Sequence, residues 1–326
     1  MSDNVRATVA ILTYNGEAYL EAILQQLRAQ RFDGGFEILI IDSGSTDRTL
    51  DIIGNHPDVR LIEIPNSEFG HGRTRNLAAR EAKGEFVAFL THDAVPGDER
   101  WLAELIEPFD RIPAVVAVMG KQVARDQGFP LQRYEIHQVF AGFGPDFGVT
   151  VFWDGPFAAN NQGIADAIAF YSDVNSAARR DFLVNIIQYQ DVRYAEDQLF
   201  GRDVIAAGHL KAYAPRAWVR HSNDLSLSEY GHRMFDEIVG LREIGTPLVA
   251  PSSGAVLGAA ARGALADSRR IVRDGQYSWR RKLYWLAVNP FFHLRRWESI
   301  RRGALVDIED RQAVRAGSLE HKRKRG

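Results

Sequence analysis

Over residues 7–90, apolar runs of strand length alternate with segments of helical spacing, and each run stops at a polar turn. Ala7 to Leu12 ends at Thr13-Tyr14-Asn15-Gly16, after which Tyr19, Leu20, Ile23, Leu24 and Leu27 recur at helical intervals between Ala18 and Arg28. The unit repeats with Phe36 to Ile41, the turn Asp42-Ser43-Gly44-Ser45-Thr46-Asp47 and a helix start at Thr49 to Gly54. Val59 to Ile64 precedes a helix carrying Arg73, Arg75 and Asn76, and Phe86 to Leu90 makes a fourth strand. Buried strands alternating with helices predict an α/β fold, a mostly parallel sheet flanked by helices, with ligands outside the carboxyl ends of its strands.

Beyond Pro96 the pattern loosens. An amphipathic helix is expected from Glu99 to Phe109 and a strand at Val115 to Met119, whereas Phe140 to Gly163, rich in Gly, Phe and Asn, reads as a long loop or an acceptor-side lid. Order returns at Phe170 to Arg180. Ala195-Glu196-Asp197-Gln198 opens a helix that closes at Gly208, a strand near Ala212-Tyr213 leads to Ala217 to Ser222, and the chain is helical from Leu225. Gly254 to Ala266 suits a close-packed helix. With 326 residues, 45% of them hydrophobic, the chain can bury one large core or two modest ones. We expect a domain over 1–235, its nucleotide-binding half about 1–120 and its acceptor-side half about 121–235, followed by a helical extension over 236–326. The lack of cysteine excludes disulfides and thiolate metal sites, and without an apolar leader a cytoplasmic setting is expected.

Chemistry concentrates at two acidic steps. Phe89-Leu90-Thr91-His92-Asp93 runs from a strand into an acid, and Glu196-Asp197 stands far downstream. One acid to hold a metal and another to take a proton is what transfer from a nucleotide-activated donor requires. Acids at a helix N-terminus are also favoured by its dipole, so Glu196, Asp197 and Asp47 each have a plain capping alternative. Arg73 and Arg75, two apart, cannot share a helix face.

Taken in order, Ile11-Leu12-Thr13-Tyr14-Asn15, Ile41-Asp42-Ser43-Gly44-Ser45-Thr46-Asp47, Thr91-His92-Asp93-Ala94-Val95-Pro96 and Ala195-Glu196-Asp197 resemble the inverting family 2 glycosyltransferases of GT-A (Rossmann-like) fold. Phe69-Gly70-His71-Gly72-Arg73-Thr74-Arg75-Asn76 and Ser172-Asp173-Val174-Asn175-Ser176 bring the chain nearest to the dTDP-L-rhamnose-dependent rhamnosyltransferases. The resemblance covers about Arg6 to Tyr230. It implies donor binding by Thr13, Tyr14, Asn15, Asp42, Ser43, Arg75, Thr91, His92 and Asp93, with Tyr14 and Asp42 at the base and Arg75 near the diphosphate. Ser43 replaces a second acid common in relatives. Thr91-His92-Asp93 keeps only the last acid of the usual Asp-x-Asp, so a divalent cation, Mg²⁺ or Mn²⁺, would rest on Asp93 with His221. Asp197 matches the catalytic base, with Glu196 as the alternative, and His71, Asp173 and Asn175 fall where sugar or acceptor would lie.

The C-terminal region interleaves Trp279, Leu283, Tyr284, Trp285, Phe291, Phe292 and Trp297 with Arg280, Arg281, Lys282, Arg295 and Arg296, and ends in His321-Lys322-Arg323-Lys324-Arg325. That mixture resembles an interfacial helix pair suited to an anionic membrane surface, while no apolar run reaches the ~20 residues needed to span one. An aromatic face packed on the catalytic domain, or closing a homo-oligomer, is the alternative. No nucleic-acid motif accompanies the basic residues. The expected protein is a membrane-peripheral, metal-dependent glycosyltransferase taking a nucleotide-sugar donor and a saccharide or polyisoprenyl-diphosphate-linked acceptor. A UDP-hexose or UDP-N-acetylhexosamine donor and a non-catalytic nucleotide-sugar-binding scaffold are the competing readings.

Overall fold

The structure, a computed structural model, describes residues 5–126, 128–155, 161–222, 225–319 and 321. In chain order its elements are β1 (Ala7–Thr13), α1 (Leu20–Arg28), β2 (Phe36–Asp42), α2 (Thr49–Gly54), β3 (Val59–Glu63), α3 (His71–Glu81), β4 (Phe86–Thr91), β5 (Val95–Pro96), α4 (Trp101–Arg111) and β6 (Val115–Val123). There follow α5 (Pro130–Ala141), β7 (Thr150–Phe152), α6 (Gln162–Ala169), β8 (Asn175–Arg179), α7 (Arg180–Asn185), α8 (Glu196–Ala206), β9 (Leu210–Arg220), α9 (Leu227–Glu243), α10 (Ser253–Arg273), α11 (Trp279–Leu305) and α12 (Arg311–Gly317). Two compact units divide the chain. One comprises Met1–Val123, His137–Asp191 and Glu196–His221, and the other Ala124–Ile136, Val192–Ala195 and Ser222–Gly326.

The first unit holds the sheet, ordered β3-β2-β1-β4-β8-β6-β9-β5, with β7 added on β9. The repeated strand-helix units of the sequence form its parallel half, β3-β2-β1-β4. Side chains buried on both faces explain why these strands read as continuous apolar runs: Val9, Ala10 and Ile11 of β1 are all inaccessible. Beyond β4 the sheet turns mixed, because β8 inserts antiparallel to both β4 and β6. Register then lines up the polar ends. Thr13 lies opposite Asp42, Leu12 opposite Thr91, and β5 pairs Val95 with Arg220 at the end of β9, so the loop after β4 meets the residue after β9.

Asn175 locks this junction. Its carbonyl accepts from the Trp101 indole at 2.9 Å, and its amide donates to the carbonyls of Lys121 at 3.1 Å and Ala217 at 2.7 Å. Fully buried and with both amide hydrogens donated to backbone carbonyls, Asn175 braces α4, β8, β6 and β9, a structural task at a position where the resemblance implied sugar or acceptor. The stretch expected to be a long loop also contains more order than its composition suggests. Helix α5 runs into it, β7 crosses it and α6 begins near its end, while residues 156–160 of that stretch lie outside the described residues.

The second unit is helical. Ser226 and Glu229 form a reciprocal capping box at the start of α9. Trp279 to Trp297, expected as a helix pair, belongs to the single helix α11, which continues through Pro290 at the cost of one backbone hydrogen bond. Helix α11 packs against both α9 and α10. Gly263 makes the approach of α10 possible, since a Cβ there would come within 2.4 Å of the His293 ring. Asp267 accepts from His293 at 2.8 Å and from Asn289 at 3.3 Å, so the helices are clasped by a buried polar cluster. Trp285 and Phe292 turn into a core with Phe129, Tyr230 and Ile271. The basic run after His321 lies outside the described residues.

Candidate active site

The ends of β1 and β2 are tied together through Asp42. This carboxylate is inaccessible and accepts from the hydroxyls of Thr13 at 2.8 Å and Ser45 at 2.6 Å and from the backbone of Gly44 and Ser45 at 3.0 and 2.8 Å. Asp42 therefore shapes the turn, and its oxygens are spent on that task. Ser43 is likewise buried, its hydroxyl donating to the Thr13 carbonyl at 3.1 Å. The residues that face outward here are half-buried Tyr14 and exposed Asn15. Asn15 takes the left-handed conformation at φ 51°, which asparagine tolerates, and accepts from the Thr46 amide at 2.8 Å. Asp47, one residue before the Arg48 N-cap of α2, accepts from the Thr49 amide at 2.9 Å and also receives the Glu17 amide at 3.1 Å.

At the end of β4, half-buried Thr91 leads into His92, whose ring nitrogen faces the Leu12 carbonyl at 3.2 Å and so fastens this loop to β1. The next residue, Asp93, lies 3.3 Å from His221 Nε2, brought there by the β5–β9 pairing. Gln122 sets the imidazole: its amide donates to Ser172 at 3.0 Å, which turns its carbonyl oxygen toward His221 Nδ1 at 3.1 Å. With Nδ1 donating to Gln122, Nε2 faces Asp93: it donates to the carboxylate when the ring is doubly protonated and offers a lone pair to a cation when it is not. Burial alone would raise the Asp93 carboxyl, but the charge and hydrogen bond of His221 outweigh it and hold the group well below the usual carboxylate range. One carboxylate and one imidazole suit Mg²⁺ or Mn²⁺ when donor phosphates and water fill the remaining positions. Among the described residues no group of three or more His, Asp or Glu makes a complete cage.

A second cluster surrounds Arg75. Gly72 lets the first turn of α3 press against the chain at residues 189–190, since a Cβ there would come within 2.2 Å of the Gln190 carbonyl oxygen. Of the two arginines two apart, Arg73 turns outward to Asp191 at 2.9 Å, and Arg75 is buried between Asp173 at 2.9 Å and Glu196. Asp173 also accepts from the hydroxyls of Ser176 at 2.6 Å and Tyr189 at 2.9 Å, and its own amide donates to Asp197 at 3.3 Å. His71, at the head of α3, packs edge-on against Phe69 and adds a favourable charge to Glu196. Immediately before Glu196, Ala195 sits at φ 64°, a left-handed conformation that costs an alanine about 1–2 kcal/mol.

Two carboxylates pair with the Arg75 guanidinium and a third, Asp197, lies within reach of its charge, and the three respond differently. Burial opposes the ionised form of Glu196, but Arg75 prevails and lowers it, whereas burial prevails at Asp173 and raises it. Asp197 is pushed up to about 8 by burial and then by the charges of Glu196 and Asp173, with Arg75 opposing. Unlike its two neighbours, Asp197 retains partial exposure. It is the group that can exchange a proton with something outside.

Residues 8–186, more than half of the chain, match the family model described as Glycosyl transferase family 2. The chain is a family 2 glycosyltransferase. Among similar proteins are the O-antigen chain rhamnosyltransferases RfbN of Salmonella typhimurium, 27% identical over 71% of each chain, and WbaN of Salmonella anatum, 30% identical over 61% of each. Among solved structures, Staphylococcus aureus TarS 1-349 superposes with a TM-score of 0.53 at 18% identity, covering 92% of this chain and 90% of that one. A Pyrobaculum calidifontis mannosyltransferase, PcManGT, solved with GDP-Man and Mn²⁺, gives 0.54 at 19%, covering 98% and 88%. At such identities these structures establish the shared GT-A fold alone.

For a family 2 glycosyltransferase the sequence overlooks three supporting side chains. Tyr189 donates to Asp173 and lies under the Arg75 guanidinium at 5.7 Å, while Asn76 clasps the Tyr189 backbone at 2.7 and 2.9 Å. Gln122, which orients His221, sits at the carboxyl end of β6. The rule that ligands gather at strand ends would have found it had that strand been taken past Met119.

Proposed function

We propose that this glycosyltransferase moves L-rhamnose from dTDP-L-rhamnose, with inversion, to a saccharide or polyisoprenyl-diphosphate-linked acceptor during assembly of a cell-surface polysaccharide. The names of the two Salmonella relatives support the sugar and the pathway class. The observation that carries the chemistry is Asp197, a partly exposed carboxyl opening α8 and pushed up to about 8. A base with that pKa can be ionised near neutral pH and still have driving force to take a proton. In this reading, as an acceptor hydroxyl oxygen bonds to the anomeric carbon, Asp197 takes its proton while the bond from that carbon to the diphosphate oxygen breaks and dTDP departs. Glu196 stays ionised beside Arg75 and remains part of the support. Arg75, neutralised by two carboxylates, acts on the base side of the cleft in this reading, a different part from the diphosphate contact implied by resemblance. A divalent cation held by Asp93, His221 and the donor would offset negative charge on the leaving diphosphate.

We read the enzyme as peripheral at the inner face of the plasma membrane, where such an acceptor resides. Among the described residues no helix is long and apolar enough to cross a membrane. The test is turnover with dTDP-L-rhamnose, UDP-glucose and UDP-N-acetylglucosamine, each offered with a polyisoprenyl-diphosphate-linked saccharide. Transfer from the dTDP sugar alone is expected. Transfer from a UDP sugar would sink the rhamnose assignment and leave the enzyme class standing, and binding without transfer would favour the scaffold.

A further inference from the structure

Helices α10 and α11 run antiparallel, since Gly263 meets His293, Asp267 meets Asn289 and the Val272 carbonyl meets Lys282. Each helix has one buried and one outward face. On α10 the buried side carries Val256, Ala260 and Ile271, and on α11 Trp285, Asn289 and Phe292. The outward sides are not uniformly polar, as helix faces turned to water usually are. Leu257 and Leu265 on α10, and Trp279, Leu283, Tyr284 and Phe291 on or at the start of α11, are each more than half exposed. Their spacing follows the helical repeat, with Leu265 eight residues after Leu257 and Phe291 seven after Tyr284.

The charges around these stripes have one sign. From Ser253 to Leu305 the chain carries eleven lysines and arginines against Asp267, Asp274 and Glu298, and Asp267 is buried under His293 and Arg270. Arg262, Arg269, Arg273 and Arg280 are exposed on the same two helices as the apolar stripes. Large apolar side chains that can enter an acyl boundary, aromatics suited to the headgroup level, and long cations that can keep their heads in water match an anionic bilayer surface. A water-facing surface would have little use for them. A second copy of this chain would bring the same positive charge against itself, which disfavours self-association.

We infer that the outward faces of α10 and α11 form a docking surface for anionic phospholipid, with Leu265, Leu283, Tyr284 and Phe291 entering the interface and the flanking arginines meeting headgroup phosphates. This deepens the peripheral-membrane reading above, and the experiment separates the two. Full-length protein would be sedimented with vesicles of phosphatidylglycerol and phosphatidylcholine, and with phosphatidylcholine alone, at low and at physiological salt. We expect binding to the anionic vesicles only. Leu283→Glu/Phe291→Glu, two exposed sites whose change leaves the packed side of the helix intact, should weaken that binding at least tenfold with unchanged melting temperature and unchanged turnover on a soluble acceptor. Arg269→Glu/Arg273→Glu should weaken it too and flatten its salt dependence. Wild-type-like binding by both variants would overturn the assignment of this face while the peripheral reading survives. Failure of the wild type to bind any vesicle would overturn both, and if light scattering then shows a dimer that the Leu283→Glu/Phe291→Glu variant dissociates, the face belongs to a second copy.

Discussion

Asp197 illustrates how a single carboxyl can be tuned by groups far from it in sequence. To accept a proton it must be ionised, and its carboxyl is pushed up to about 8. The acid limb of kcat/KM should therefore rise through an apparent pKa near 8, and a profile flat from pH 6 to 9 would remove Asp197 as the base. Asp173→Asn takes away one of the like charges that raise it and leaves the Asp173 amide in place, so the limb should move down by about one unit. A purely structural Asp173 would lower activity without moving the limb. Asp197→Asn should cost about 10²–10⁴-fold in kcat. It should not cost stability: a folded-state pKa raised from 3.8 means the unfolded chain releases its proton first, so between about 4 and 8 this group favours unfolding increasingly as pH rises. The amide variant, free of that term, should melt no lower than wild type at pH 8. As an acid opening a helix Asp197 was legible in the sequence. Its tuning was not, because Arg75 of α3 and Asp173 ahead of β8 converge on it from separate elements and no local pattern records their meeting.

Among the elements, the parallel half of the sheet was legible because each strand buries both faces and shows it as an unbroken apolar run. Strand β8 was harder. Asn175-Ser176-Ala177-Ala178-Arg179 is short and weakly apolar, and its antiparallel place between β4 and β6 comes from pairing on both sides. Asn175 makes the same point, since a buried asparagine beside an acid looks like a ligand group until its three hydrogen bonds are traced into the fold. Asn175→Ala would strand the Trp101 indole and two carbonyls in the interior, and should cost about 3 kcal/mol in urea unfolding with an unchanged slope. Trp101→Phe removes one of those bonds and keeps most of the ring's packing, so about 1 kcal/mol is expected. A loss below 1 kcal/mol for Asn175→Ala would release the residue for a role in the cleft. In α11 the sequence displays the aromatics but not their direction: Trp285 and Phe292 are spent in a core, and Trp279 and Phe291 are not.

At the scale of the whole molecule, donor, cation and fold stability are linked. A ligand that binds only the folded state stabilises it in proportion to its occupancy, and at about 100 times Kd the gain is about 2.7 kcal/mol, or about 4–6 °C in Tm for a chain or unit of this size. If Asp93 and His221 hold a cation that the donor diphosphate completes, dTDP should produce that shift with Mg²⁺ or Mn²⁺ and lose most of it with chelator. Asp93→Asn should lose it in both conditions, because the amide cannot replace the carboxylate charge toward a hard cation. Gln122→Ala leaves both ligands in place but frees the imidazole, so a roughly tenfold weaker apparent metal affinity is expected, the usual scale for removing a partner that orients a metal-binding histidine. Equal protection by dTDP with and without chelator would mean that Asp93 and His221 form an ion pair of the scaffold and that the donor diphosphate is bound without a cation.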